Sequence, residues 1–342
     1  MEHFADIPII DAHVHLTMAY SMQDSLKNFR ATMAQRGYDR MVFMAYSESS
    51  DNHGDPLNGL KALWYKLQIP NTYACGCLVH RHNEHDTAEG YKNQAETMWD
   101  MGFDGMKMLE GKPQQRKDLG HRLDDPIFDA YYGFLEESGM PLTLHLADPS
   151  YFWDRDKIPE AAVKRGWFCG DGTYPTYEQF YEEMFGILKK FPKIKLTLAH
   201  FGFMSWHKGW AERFLGDYEN TCLDLTPGGE MFAGFSADPA YWREFFLKNR
   251  RRIYFGTDTY NDFSATDQPG NSYGRMQLVR TFLETGADFT WPTVPGILHP
   301  FALPEDVLWD IYRNNALRRF GDAPRQVCTC RPGEAAGGNT RT

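Results

Sequence analysis

Short aliphatic and β-branched runs alternate with longer amphipathic stretches along almost the whole chain. The runs are Ile7–Leu16, Arg40–Tyr46, Thr72–Val79, Phe103–Leu109, Leu142–Ala147, Ile194–His200, Thr221–Thr226 and Arg252–Thr257. After each comes a stretch whose apolar positions recur at helical spacing: Met22–Arg36, Leu57–Leu67, Ala88–Met101, Ile127–Ser138, Tyr177–Lys190, His207–Leu215, Pro239–Lys248 and Tyr273–Glu284. Strands alternating with helices predict parallel β-α-β units. Eight such units in one chain predict a closed α/β barrel, the (β/α)8 TIM barrel, rather than an open sheet. Gly37, Gly102, Gly139 and Gly286 follow helices, where a left-handed residue relieves the last turn. Pro141 and Pro192 stand where a residue without an N–H ends or follows a helix.

Two connections exceed simple turns. Asp148–Thr176, after the fifth strand, carries Tyr151, Phe152, Trp153, Trp167 and Phe168, and Asp258–Asn271 follows the eighth. Long aromatic loops on the catalytic face of a barrel read as lids or binding loops. A last helix, Glu305–Phe320, is expected to pack across the barrel. Residues 1–320 thus form one domain, and 321–342, rich in Gly, Arg, Ala and Thr, read as a flexible tail.

Composition narrows the function. The 342 residues are 42% hydrophobic and 24% charged, an ordinary globular balance. The net charge of −10, with no basic stripe, speaks against nucleic acid or an anionic membrane as partner. No apolar run approaches the roughly 18 residues of a membrane span, and Met1–Asp6 has no signal-peptide pattern. Six cysteines, two pairs of them C-x-C, fit free thiols in a reducing cytoplasm.

The chemistry concentrates at strand ends. In Asp11-Ala12-His13-Val14-His15, residues two apart share a strand face, so His13 and His15 point together while Ile10, Ala12 and Val14 point to the helices. His145 ends the apolar strand Leu142-Thr143-Leu144-His145, His200 ends the sixth run, and Asp258 follows the eighth. An apolar strand has no structural use for a histidine or aspartate at its last position, whereas a metal needs such ligands to converge on one rim. A site with few protein ligands keeps a position for water, whose pKa the cation lowers. Asp258 then stands to take that water's proton and His200 to polarise the group under attack. Asp11, on the same face but deeper, is either an orienting partner or a polar cap of the strand.

These motifs resemble the amidohydrolase superfamily in order and strand position, from about Ile9 to Phe320, and Gly256-Thr257-Asp258 is part of the match. The chain is similar to the branch that holds aminocarboxymuconate-semialdehyde decarboxylase and resorcylate decarboxylase. The resemblance implies a metal-dependent-hydrolase barrel in which His13, His15, His145 and Asp258 hold one divalent metal, zinc or alternatively manganese. His200 would lie beside it as an electrophile or as ligand to a second metal, and the chain would form a homodimer. Lys107 lies in the strand where binuclear members carry a carboxylated lysine. Its readings are substrate contact first, a packed stem with a solvent-facing head second, and a metal bridge last.

Weaker signals are His80, Arg81, His82 and His85 after the third strand; Glu110, Lys112, Arg116 and Lys117 after the fourth; and Thr226-Pro227-Gly228-Gly229-Glu230 after the seventh. Each is also plain loop chemistry. Arg81, Lys107, Asp148 and Trp153 are the expected substrate contacts. No nucleophile elbow, P-loop or dinucleotide fingerprint is present. The expected substrate is a small molecule, and two reactions use these ligands. One is hydrolysis of an amide, lactone or ester of a small carboxylate-bearing molecule, with Asp258 as base. The other is non-oxidative decarboxylation of an aromatic or unsaturated acid. Superfamily frequency favours hydrolysis. A barrel that only binds would lack ligands, and here every expected position is filled.

Overall fold

The structure, a computed structural model, describes residues 4–16, 20–46, 57–80, 86–259 and 272–328. Eight parallel strands form one sheet in chain order: β1 (Ile9–His15), β2 (Tyr38–Met44), β3 (Tyr73–Cys77), β4 (Gly105–Gly111), β5 (Leu142–Leu146), β6 (Leu196–Leu198), β7 (Cys222–Asp224) and β8 (Ile253–Tyr254). The seam between β8 and β1 is held by backbone bonds from Ala12 N to Phe255 O, Asp258 N to His13 O and His15 N to Thr259 O. The expected barrel is therefore present.

The intervening helices are α1 (Met22–Arg36), α2 (Asn58–Gln68), α3 (Ala88–Met101), α4 (Pro113–Leu119), α5 (Asp129–Ser138), α6 (Glu160–Lys164), α7 (Tyr177–Lys190), α8 (Lys208–Asp217), α9 (Gly229–Ala237), α10 (Pro239–Lys248) and α11 (Ser272–Glu284). An antiparallel hairpin comes next, β9 (Phe289–Trp291) and β10 (Val294–Leu298), and then α12 (Glu305–Trp309) and α13 (Asn315–Phe320) joined by one wide helical turn. The hairpin and the short helices α4, α6 and α9 were not legible as elements. Gly37, Gly102 and Gly139 do adopt left-handed φ angles of 72°, 94° and 68° after their helices. Gly286 does not: it lies two residues beyond the end of α11, outside the turn that needs relief.

The core has two compartments. The larger fills the layer between strands and helices, with Val14, Phe29, Met41, Phe43, Met106 and Leu144 among its members. The smaller fills the barrel interior: Ile10, Ala12, Val42, Met44, Tyr73, Cys75, Cys222 and Tyr254, closed by Ala316 and Phe320 of α13. The final helix thus seals one end of the barrel. Residues 321–328, expected to begin the flexible tail, are instead tied to the α3–β4 region. Arg325 N donates to Asp104 Oδ1 at 2.7 Å, its guanidinium lies over the Trp99 ring, and Cys328 N bonds Met101 O.

The two compartments correct the face assignment in β1. Simple alternation puts Ile10 and Ala12 toward the helices, yet both lie in the interior, whereas Ile9 and Val14 lie outside. The pairing of β1 with β2 slips between Asp11 and Val14. An extra residue at such a bulge reverses the facing of every later residue in the strand. His13 and His15 consequently face inward together with Ala12, and Asp11 does not share their face.

Candidate metal centre

His13 and His15 enter the barrel from β1, and the other ring nitrogen of each is already committed. His13 Nδ1 donates to Asp224 Oδ2 at 2.8 Å, and His15 Nδ1 to the Met44 carbonyl at 3.0 Å. Both Nε2 atoms are thereby left as lone pairs, 3.1 Å apart. Asp258 Oδ1 stands 3.2 Å from His15 Nε2 and 3.9 Å from His13 Nε2. These three residues form the group among the described residues whose donor atoms all lie within 4.8 Å of one another. Two imidazole lone pairs and a carboxylate oxygen repel unless positive charge lies between them. Nitrogens bound to one tetrahedral zinc at 2.0–2.1 Å would be about 3.3 Å apart. Donor type, spacing and back-bonding all fit a divalent metal.

Burial reinforces the neutral state of His13. His13 is fully buried, which, with Lys107 adding repulsion, brings its pKa down to about 3 against the pull of Asp224. Burial alone would raise Asp224, but His13, His200 and Thr226 hold it at about 2. Asp224, at the end of β7, also accepts the His200 N–H at 2.8 Å. It was missed in the sequence, although an acid ending an apolar strand is the signal that singled out Asp258.

Asp258 is fixed from the far side. Arg275 of α11 donates from Nη1 to Asp258 Oδ2 at 2.9 Å and to the backbone carbonyls of Asp258 and Thr257. Burial works against its charge, but His15, His200 and Arg275 hold the carboxyl well below the usual range. Asp258 and His200 both have left-handed φ, 55° and 57°, as has Ala147 (58°) just beyond β5. Strained backbone at three strand ends on one rim is the pattern of a functional site.

His145 and His200 continue the cluster. Their rings meet edge to face at 4.8 Å, and His200 lies 5.9 Å from His13 between centroids. His145 is not in the group of three: its Nε2 is turned to Asp148 Oδ1 at 3.4 Å. His200 Nδ1 faces the Thr226 carbonyl at 3.2 Å, which leaves Nε2 free of that bond. Burial lowers both imidazoles to about 4. Asp148 falls to about 2 despite its burial, through Lys112 at 2.9 Å and His145.

Lys107 is wholly buried, so the reading with a solvent-facing head is overturned. Its Nζ is 3.2 Å from His13 Nε2, and burial brings its pKa down to about 8. The other expected contacts diverge. Trp153 spends its indole N–H on the Pro175 carbonyl and packs on Tyr177 and Phe180, anchoring the loop after β5. That loop has its own small core of Phe152, Ile158 and Ala162. Arg81, His82 and His85 lie outside the described residues. His80 pairs with Glu110 at 2.6 Å, Arg116 with Glu183 at 2.9 Å, and Lys117 with Thr173. Asp11 accepts from His13 N and from both Thr257 N and Oγ1, joining β1 to the end of β8.

Among solved structures, the chain is similar to an uncharacterized TIM-barrel protein, Bb4693, from Bordetella bronchiseptica (15% identity, 92% of this chain and 98% of that one, TM-score 0.56). It is also similar to 2,6-dihydroxybenzoate decarboxylase from Rhizobium (15%, 92% and 98%, 0.53) and to apo IDCase from Metarhizium anisopliae (14%, 92% and 97%, 0.51). These likenesses establish the barrel. No curated protein sequence matches. The family model described as amidohydrolase matches residues 10–321, and the chain belongs to that family.

Proposed function

We propose that this member of the amidohydrolase superfamily is a metal-dependent, non-oxidative decarboxylase of a small hydroxylated aromatic or unsaturated carboxylic acid. The observation that carries the reading is the engagement of both Asp258 oxygens, Oδ1 by the histidine pair and Oδ2 by Arg275. Hydrolysis asks for a carboxylate oxygen free to take a proton from water, and both Asp258 oxygens already have partners. Decarboxylation asks instead for an anchored carboxylate and a proton returned to carbon.

His13, His15 and Asp258 would hold one zinc or manganese ion, with His145 as the fourth ligand. When bound, the cation would supply positive charge that neutralises and orients a substrate carboxylate. Lys107 lies beside that position and adds a second positive contact for the carboxylate. His200, fixed by Thr226, directs Nε2 into the site. Burial holds its pKa at about 4, so the ring starts neutral; Nε2 takes a proton from the substrate's own hydroxyl or from water and, once charged, is a strong donor to carbon. The carboxylate leaves as CO2, the electron pair of the broken bond stays on carbon, and the His200 proton takes its place. The decarboxylase neighbours add support at the level of the shared barrel.

The test is to incubate metal-loaded protein in D2O with 2,6-dihydroxybenzoate and a panel of related acids, and separately with lactones and amides. Release of CO2 with one deuterium on the product carbon is expected. Turnover of a lactone or amide without CO2 release would replace this reading with the hydrolase.

A further inference from the structure

Glu230 is the second residue of α9, on the catalytic face just beyond β7. It is 7% exposed, and its Oε1 has no hydrogen-bond partner among the described residues. Leaving a buried carboxylate oxygen unmatched costs free energy in the empty protein, and the fold is arranged to keep it there. A Cβ at Gly228 would lie 2.7 Å from Oε1 and 2.9 Å from Oε2, so the carboxylate folds back against Gly228. Nearby hydroxyls are spent elsewhere: Tyr177 on the Phe203 carbonyl, and Tyr181 on Tyr177 and the Gly202 carbonyl.

A second unmatched atom borders the same helix. Ser205 Oγ is buried without a partner among the described residues and lies against Gly234, where a Cβ would come within 2.3 Å of it. Positions 230 and 234 are one turn apart on one face of α9. Across the rim, the Asp148 carboxylate acts on Glu230, and both act on Tyr151 of the β5 loop. Burial pushes Glu230 up to about 7, with Asp148 adding to the rise and its own backbone N–H opposing it. An unmatched acceptor and an unmatched hydroxyl beside a second carboxylate repel an anion and welcome a group that donates a hydrogen bond.

We propose that Glu230 is a specificity-determining residue that accepts a hydrogen bond from a hydroxyl or amino substituent of the substrate, with Ser205 bordering the same subsite. The subsite holds the end of the molecule remote from the carboxylate. This inference rests on the reading of the strand-end rim as the substrate site.

The test uses Glu230→Met and Glu230→Gln in metal-loaded protein with two measurements. The first is Tm. A binding carboxylate that is unmatched in the empty site predicts that Glu230→Met raises Tm by about 2–4 °C; a fall would make Glu230 a structural residue and overturn the proposal. The second is calorimetric binding of benzoate against its 2-, 3- and 4-hydroxy and amino derivatives. Wild type should prefer at least one derivative by about tenfold or more over benzoate. Glu230→Met should lose that preference, and Glu230→Gln should keep part of it. A preference that survives Glu230→Met overturns the proposal. If no acid in the series binds wild type, the decarboxylase reading fails while the direction of the Tm change still decides the role of Glu230.

Discussion

Asp11 captures the backbone N–H of His13 with its own Oδ1 at 3.2 Å, and the same carboxylate takes the Thr257 hydroxyl at 2.6 Å. The first bond removes His13 N–H from the strand ladder and accompanies the slip that turns both histidines inward. The second ties that bulge to the residue preceding Asp258. Asp11→Ala should therefore cost about 1–3 kcal/mol, the range for leaving a buried donor without its partner, and lower metal content with it. Urea denaturation and then metal analysis check both. A variant with native stability and full metal would deny Asp11 its role in shaping the bulge.

Asp224, at the end of β7 and two strands from His13 around the closed sheet, fixes the tautomer of His13. Asp224→Asn should weaken metal binding about 10–100-fold, the usual effect of removing a carboxylate behind a ligating histidine. Competition with a chromophoric chelator measures it. Unchanged affinity would show that His13 needs no orienting partner.

His145 stands one ring away from the three converged ligands and leans on Asp148. As the proposed fourth ligand, it should lose most of the bound metal on substitution by alanine while the fold is retained. Full occupancy in His145→Ala would reduce the ligand set to His13, His15 and Asp258.

Lys107 is expected to contact the substrate carboxylate. Lys107→Met should raise KM for an acid substrate more than it lowers kcat and should leave metal content intact. Loss of metal, together with a mass increment of one CO2 on the peptide that carries Lys107, would make it a metal bridge instead.

The His80–Glu110 pair makes stability depend on pH. Burial disfavours the His80 charge, but the Glu110 hydrogen bond and the charges of Glu110 and Asp86 carry its pKa above 6.5. A raised folded-state pKa gives stability that is complete below the unfolded value and is lost as pH rises through the folded one. His80→Gln should accordingly cost more at about pH 6 than at about pH 9. Equal costs at both would show that the imidazole is neutral in the folded protein.

The barrel was legible because its signal repeats: eight apolar runs, each trailed by helical spacing, leave few alternatives. Strand-end residues were legible for the same reason, since His145, His200 and Asp258 interrupt an apolar pattern where it should continue. The inward pair at His13 and His15 was read correctly from a rule that fails in this strand. Alternation gives them one face but puts Ile10 and Ala12 on the wrong one, because the Asp11 side chain competes with the ladder. Partners supplied by backbone, such as the Met44 carbonyl, leave no trace in residue identity. Arg275 reaches Asp258 across seventeen positions and looks like any helix arginine until the chain is folded. Trp153 shows the opposite error. An aromatic on the catalytic face invites a binding role, but its N–H and ring are consumed in holding its own loop.

The donors at the centre come from opposite ends of the sheet, two from its first strand and one from just past its last, and β8 itself is only two residues long. A cation placed among them would act as a clasp on the circle of strands. Loading should then slow amide exchange most at Ala12, His15 and Asp258, whose N–H groups cross that junction. The assembly of the catalytic centre and the final closing of the fold would be one event.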